Sequence, residues 1–126
     1  MRRFCKYIQL TFILIAIQPV NQPSFANDIT ILAVGDSLMA GYGLKSDESF
    51  PFQLEQALIE LGYKSKVINA GVSGDTTAGG LSRIDWLLGG MSRPDIVIVE
   101  LGANDALRGI NPISTRANLA AIIDKS

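Results

Sequence analysis

Three short stretches of this chain carry residue types suited to attack on a carbonyl carbon. They are Gly35-Asp36-Ser37-Leu38, Gly71-Val72-Ser73-Gly74-Asp75-Thr76 and Gly102-Ala103-Asn104-Asp105. A serine at a strand-to-helix turn can present its hydroxyl outward, with free backbone N–H groups and a helix dipole favouring negative charge. A glycine in a tight loop lets a bare backbone amide approach a ligand. An asparagine amide at a strand end can donate to an oxygen as it gains charge, which contributes about 3 kcal/mol to a transition state. Each has a plainer reading alone: Ser37 as a helix cap, Gly74 as a turn, Asn104 as a residue pinning its own loop. The sequence contains no histidine. A serine hydroxyl needs a base to take its proton, so the usual base of such a site is absent from these residues.

The elements that must position these residues follow from hydrophobic spacing. Ile29 to Val34 is a short apolar, β-branched run closed by Gly35, which predicts a buried strand. Ser49 is placed to cap a helix with Pro51 in its first turn; Phe50, Leu54, Ala57, Leu58 and Leu61 share one face and Gly62 ends it. Lys66 to Asn69 predicts a second strand stopped by Ala70-Gly71. Thr77 to Leu88 predicts a helix with Leu81, Ile84, Leu87 and Leu88 on one side, and Asp95 to Leu101 is the clearest strand. A last helix follows Pro112. The order β-α-β-α-β-α predicts an α/β fold, a parallel sheet with helices on both faces. Ligands of such sheets sit beyond the carboxyl ends of the strands, and each of the three stretches falls at such an end.

Taken together, in this order and each after its own strand, the stretches resemble the SGNH (or GDSL) hydrolases. The resemblance is closest to the bacterial arylesterase, thioesterase I and lysophospholipase L1 branch. It rests on Ala33 to Leu38 with Ala40-Gly41-Tyr42-Gly43, on Val67 to Thr77, and on Val99 to Asp105. It runs from about Ile29 to the last residue. It implies a flavodoxin-like three-layer α/β/α sandwich, incomplete at the C-terminus. It implies hydrolysis of acyl esters or thioesters through an acyl-enzyme, with no metal and no cofactor. Ser37 would be the nucleophile; the N–H groups of Ser37 and Gly74 and the side-chain amide of Asn104 would form the oxyanion hole. The family's catalytic His, and the Asp three residues before it, belong to a C-terminal Asp-x-x-His motif that these residues do not contain. Asp36, Asp75 and Asp105 sit in the earlier motifs and do not stand in for that Asp. Losing the histidine of a serine hydrolase lowers turnover by about 10⁶, while the oxyanion hole retains roughly 10³–10⁴ over water. Lys45 lies in a loop with nothing to orient it as a substitute base.

The ends of the chain carry their own signals. Residues 1–26 read as a secretory leader: Arg2, Arg3 and Lys6, then an apolar run from Ile8 to Ile17, then Ser24-Phe25-Ala26 as a small-x-small cleavage site. The run is about half of the roughly 20 residues a spanning helix needs. A leader of this kind predicts export to the periplasm and no membrane span after its removal. Cys5 leaves with it, so no disulfide or thiolate metal site is expected. Residues 27–126 then form the N-terminal part of a single domain, with eight basic against twelve acidic side chains and a net charge of about −4. No basic cluster points to nucleic acid; the expected partner is a small acyl ester or thioester. Arg116 to Ser126 has helical spacing and no stop signal, which reads as truncation. If the strand order is that of flavodoxin, the third strand is normally internal. Ending at Ser126 would then leave Ile96 to Leu101 as an apolar edge and a poorly soluble product.

Two other readings compete. One is a non-catalytic protein binding an acyl or carbohydrate ligand in the same cleft. The other is a Mg²⁺ site on Asp36, Asp75 and Asp105, which would be lost to chelators. An acyl pocket would draw on loops near Leu44, Leu107 and Ile110 and on segments these residues do not contain.

Overall fold

The computed structural model describes residues 28–90 and 93–126; the leader reading of residues 1–26 lies outside them. The elements run β1 (Ile29–Gly35), α1 (Ser37–Ala40), α2 (Phe50–Glu60), β2 (Ser65–Gly71), α3 (Thr77–Gly89), β3 (Ile96–Glu100), α4 (Ala103–Leu107) and α5 (Pro112–Lys125), with a short 3-10 turn at Ser46–Glu48 before α2. All three strands are parallel, in the order β2-β1-β3. That is the order of the first three strands of a flavodoxin-like sheet.

β1 takes the centre because its side chains are apolar on both faces. Leu32 and Val34 point to one side, where Ile84 and Leu87 of α3 and Ile122 of α5 close the core, joined by Ile68, Ala70, Val97, Val99 and Leu101. Burying each such side chain contributes roughly 1.5–3 kcal/mol. The other face receives α1 and α2, which pack mainly on β2. Helices therefore lie on both faces, as the element order predicts. The outer edge of β2 is partly covered too: Glu55 of α2 accepts the Val67 N–H at 2.7 Å, which satisfies an edge donor. At the opposite end of the sheet, Asp95 ties the start of β3 to β1, accepting the Thr30 N–H at 2.8 Å while its own N–H donates to the Thr30 carbonyl.

Several local expectations change. Ser49 is the residue before α2, but its hydroxyl donates to the Ser46 carbonyl instead of capping the helix. The predicted apolar face of α2 is only partly buried, since Phe50 and Leu61 are exposed. β2 runs two residues beyond the predicted Asn69, and β3 is shorter than the apolar run that announced it. Among the described residues no helix is long and apolar enough to cross a membrane.

Candidate active site

The three motif loops leave the carboxyl ends of their strands side by side, and hydrogen bonds join them. Asp36, 1 % exposed, is the hinge of the first. Its Oδ1 accepts the Leu38 N–H at 3.0 Å and caps α1. Its Oδ2 accepts from Asn104 Nδ2 at 2.9 Å. Asp36 therefore turns its carboxylate away from its neighbour Ser37 and uses it to orient Asn104. An amide nitrogen carries two hydrogens, so this bond leaves Asn104 a second donor. Ser37 opens α1 and is partly exposed.

The helix-dipole expectation needs correction. α1 has four residues, so little of a helix field acts at Ser37, and the Leu38 N–H is already bonded to Asp36. What fixes Ser37 is close packing instead. A Cβ on Gly71 would sit 2.2 Å from the Ala40 nitrogen, so α1 rests directly on the backbone of β2.

Gly74 has φ +81°, a left-handed conformation that side chains disfavour. Its loop is held from three directions. Arg108, at the end of α4, donates from Nη2 to the Gly74 carbonyl at 2.7 Å. Val72 N–H reaches back to the Gly35 carbonyl at 3.0 Å. Asp75 is paired with Arg83 of α3 at 2.8 Å.

Behind Asn104 lies a buried polar network. Asp105 accepts the Thr77 N–H at 2.8 Å, the Thr77 hydroxyl at 2.5 Å and the Thr115 hydroxyl at 3.1 Å. Asn118 Nδ2 donates to the Thr77 hydroxyl at 3.0 Å. The starts of α3, α4 and α5 thus meet on one carboxylate. Burial pushes the Asp105 carboxyl up, but the bonds from Thr77 and Thr115 outweigh it and the net direction is down. Glu100 shifts the other way. Burial raises its carboxyl and the nearby Asp36 charge adds to the effect. Its Oε2 is buried with no hydrogen-bond partner among the described residues.

Glu100 also lines a cavity of about 330 Å³ together with Ile98, Phe50 and Leu38 and Met39 of α1. Leu44, Leu107 and Ile110 do not line this cavity; Leu44 and Leu107 are exposed, Leu107 at 85 %. Asp36, Asp75 and Asp105 turn to three different sets of partners. Among the described residues no group of three or more histidine, cysteine or acidic side chains could hold a metal ion.

Reading motifs alone missed Arg83, Arg108, Thr77, Thr115, Asn118 and Glu100. The available signal was charge or polarity on otherwise apolar elements: Arg83 between Gly80 and Leu87 on α3, Glu100 at the end of an apolar strand.

Residues 33–126 match the GDSL-like lipase/acylhydrolase family. The esterase TesA of Pseudomonas aeruginosa is 43% identical over 97 residues, covering 77% of this chain and 48% of the relative. An arylesterase of Vibrio mimicus is 47% identical over 93 residues, covering 74% of this chain and 46% of the relative. The crystal structure of AlinE4, an SGNH-hydrolase family esterase, superposes with a TM-score of 0.77 at 51% identity, over 81% of this chain and 55% of that one. The chain spans about half the length of the curated relatives it matches. Its described part is the parallel α/β sheet of that fold, with the three motif loops at its carboxyl edge, and the chain belongs to the GDSL-like lipase/acylhydrolase family.

Proposed function

We propose that this chain carries the nucleophile and oxyanion hole of a serine-dependent hydrolase of acyl esters or thioesters. The observation that carries the reading is the bond from Asn104 Nδ2 to Asp36 Oδ2, which fixes the Asn104 amide next to the residue preceding Ser37. In this reading Ser37 Oγ attacks the acyl carbonyl carbon and the carbonyl electron pair moves onto oxygen. The N–H groups of Ser37 and Gly74 and the Asn104 amide donate to that oxyanion. Collapse expels the alcohol or thiol, which leaves with the proton taken from Ser37. Water then cleaves the acyl-enzyme by the same steps. The base that moves these protons is a histidine, and none is present in this sequence. We propose accordingly that the 126 residues alone do not turn over substrate. The reaction calls for no metal or cofactor. The basic and apolar pattern of residues 1–26 supports export to the periplasm.

The test is an assay of the whole product of the source gene, from start to stop codon, against p-nitrophenyl butyrate and a butyryl thioester. Hydrolysis that falls at least about 10³-fold in Ser37→Ala, and that survives chelators, is the expected result. Equal turnover by Ser37→Ala and wild type would remove Ser37 from the chemistry. Ligand uptake without any hydrolysis by a product that has its histidine would favour the binding-protein reading.

A further inference from the structure

One guanidinium bonds two backbone carbonyls and one carboxylate close in sequence to Ser37 and Gly74. Arg83 Nε donates to Asp75 Oδ2 at 2.8 Å, Nη1 to the Ala70 carbonyl at 2.8 Å, and Nη2 to the Gly35 carbonyl at 3.2 Å. Gly35 ends β1 two residues before Ser37. Ala70 is the last residue but one of β2, just before the Gly74 loop. Asp75 follows Gly74 directly, and its Oδ1 also accepts the Thr76 N–H at 3.1 Å. The pair is largely shielded, with side-chain exposures of 20 % for Arg83 and 11 % for Asp75. The planar fork of an arginine holds three acceptors at fixed mutual angles, which a flexible ammonium does not.

We propose that Arg83 is a positioning residue for the oxyanion hole. By fixing the end of β1 against the Gly74 loop, it sets the separation between the backbone amides of Ser37 and Gly74. This rests on the proposed role of those amides, and it adds a residue on α3 that does not touch the substrate. Oxyanion donors act only when aimed at the charge that develops in the transition state. A displaced donor therefore lowers kcat while substrate binding is nearly unchanged. Complete loss of a donor lowers turnover by about 10²–10³, and misplacement by about 1 Å can cost up to about 10².

The experiment compares Arg83→Met, Arg83→Lys and Asp75→Asn with wild type in the whole gene product. Kinetics on p-nitrophenyl butyrate are read beside hydrogen–deuterium exchange. Arg83→Met is expected to lower kcat about 10-fold to 100-fold with KM within about twofold. Exchange over residues 71–76 should quicken, while exchange in α5 stays as in wild type. Arg83→Lys should recover little, because one ammonium cannot span all three acceptors. If Arg83→Met does not fold, Asp75→Asn keeps the two carbonyl contacts and should show the same pattern more weakly. Unchanged kcat in a folded Arg83→Met, full recovery by Arg83→Lys, or unaltered exchange over 71–76 in every folded variant would each overturn the proposal. Ser37→Ala is run in parallel. If it retains turnover, the reading of the reaction fails, and the exchange data alone decide whether Arg83 holds the loop.

Discussion

Asn104 is worth most where its amide is aimed, and Asp36 aims it through a 2.9 Å bond from a nearly inaccessible carboxylate. Asn104→Ala removes the donor and leaves Asp36 Oδ2 without that partner. The expected outcome in the whole gene product is kcat lower by about 10²–10³ with KM little changed, measured on p-nitrophenyl butyrate. A pure rise in KM would mean that the amide binds ground state and transition state alike. Glu100 supports a second prediction. Its folded carboxyl holds its proton to higher pH than an unfolded glutamate does, first through burial and then through the Asp36 charge. The folded state therefore binds more protons in that window, and stability falls as pH rises from the ordinary glutamate value through the raised one. Asp105 contributes with the opposite sign, because stability from its lowered carboxyl is lost as pH falls. Glu100→Gln removes the first dependence alone. Its melting temperature should exceed that of wild type at pH 7, with the gap opening as pH rises from about 4. A gap that is the same at both ends of that range would count against it. Both residues also show what a motif can and cannot reveal. Asn104 stands out in sequence because its type suits the chemistry, whereas Glu100 matters through burial and the nearby Asp36 charge, which only the fold brings about.

At the level of elements, apolar pattern is a good guide where an element is buried, as a continuous run in β1 and as one face of α3. β1 and α3 came out close to their predicted bounds because Leu32, Val34, Ile84 and Leu87 have one place to go. A helix is expected after the Ser37 turn but its four-residue length is not legible, and α4 is not announced at all, since four or five residues carry no period to read. They are held by single side chains instead: Asp36 caps the first and Asp105 anchors the second. The buried network on Asp105 was invisible for the same reason, since its members are 28 and 10 residues apart in sequence. Packing of α1 on β2 yields a direct test. A Cβ on Gly71 would lie 2.2 Å from the Ala40 nitrogen and 2.7 Å from the Ala40 Cα, both rigid backbone atoms. Gly71→Ala should therefore destabilise by about 1–3 kcal/mol, read from the urea midpoint. Gly89→Ala is the contrasting case. Gly89 is the last residue of α3 and a Cβ there meets nothing within 4 Å. That substitution should be neutral or stabilise by up to about 1 kcal/mol. Equal losses in both variants would mean that α1 can ride away from the sheet freely.

Over the molecule as a whole, the two sides of the sheet are finished differently. Beyond β2, Glu55 takes an outward N–H and α2 lies alongside. Beyond β3, no further strand follows in the described residues, so its outer backbone edge is unpaired there. β3 reads Ile-Val-Ile-Val-Glu, with Ile96 47 % exposed and Ile98 lining the cavity shared with Leu38 and Met39. An apolar, β-branched strand with an open edge is a template for pairing with another chain. Ile96 and Ile98 share a face, because successive strand side chains alternate, and that face is opposite the core built on Val97 and Val99. Lysine at both positions should therefore leave the core intact and oppose edge pairing by charge. The 126-residue chain is expected to self-associate as its concentration rises, and Ile96→Lys with Ile98→Lys to shift it toward monomer in sedimentation velocity. The far-ultraviolet circular dichroism should not change. A wild-type chain that stays monomeric at about 100 μM, the concentration range in which exposed strand edges ordinarily aggregate, would show that β3 is protected by some other part of the molecule.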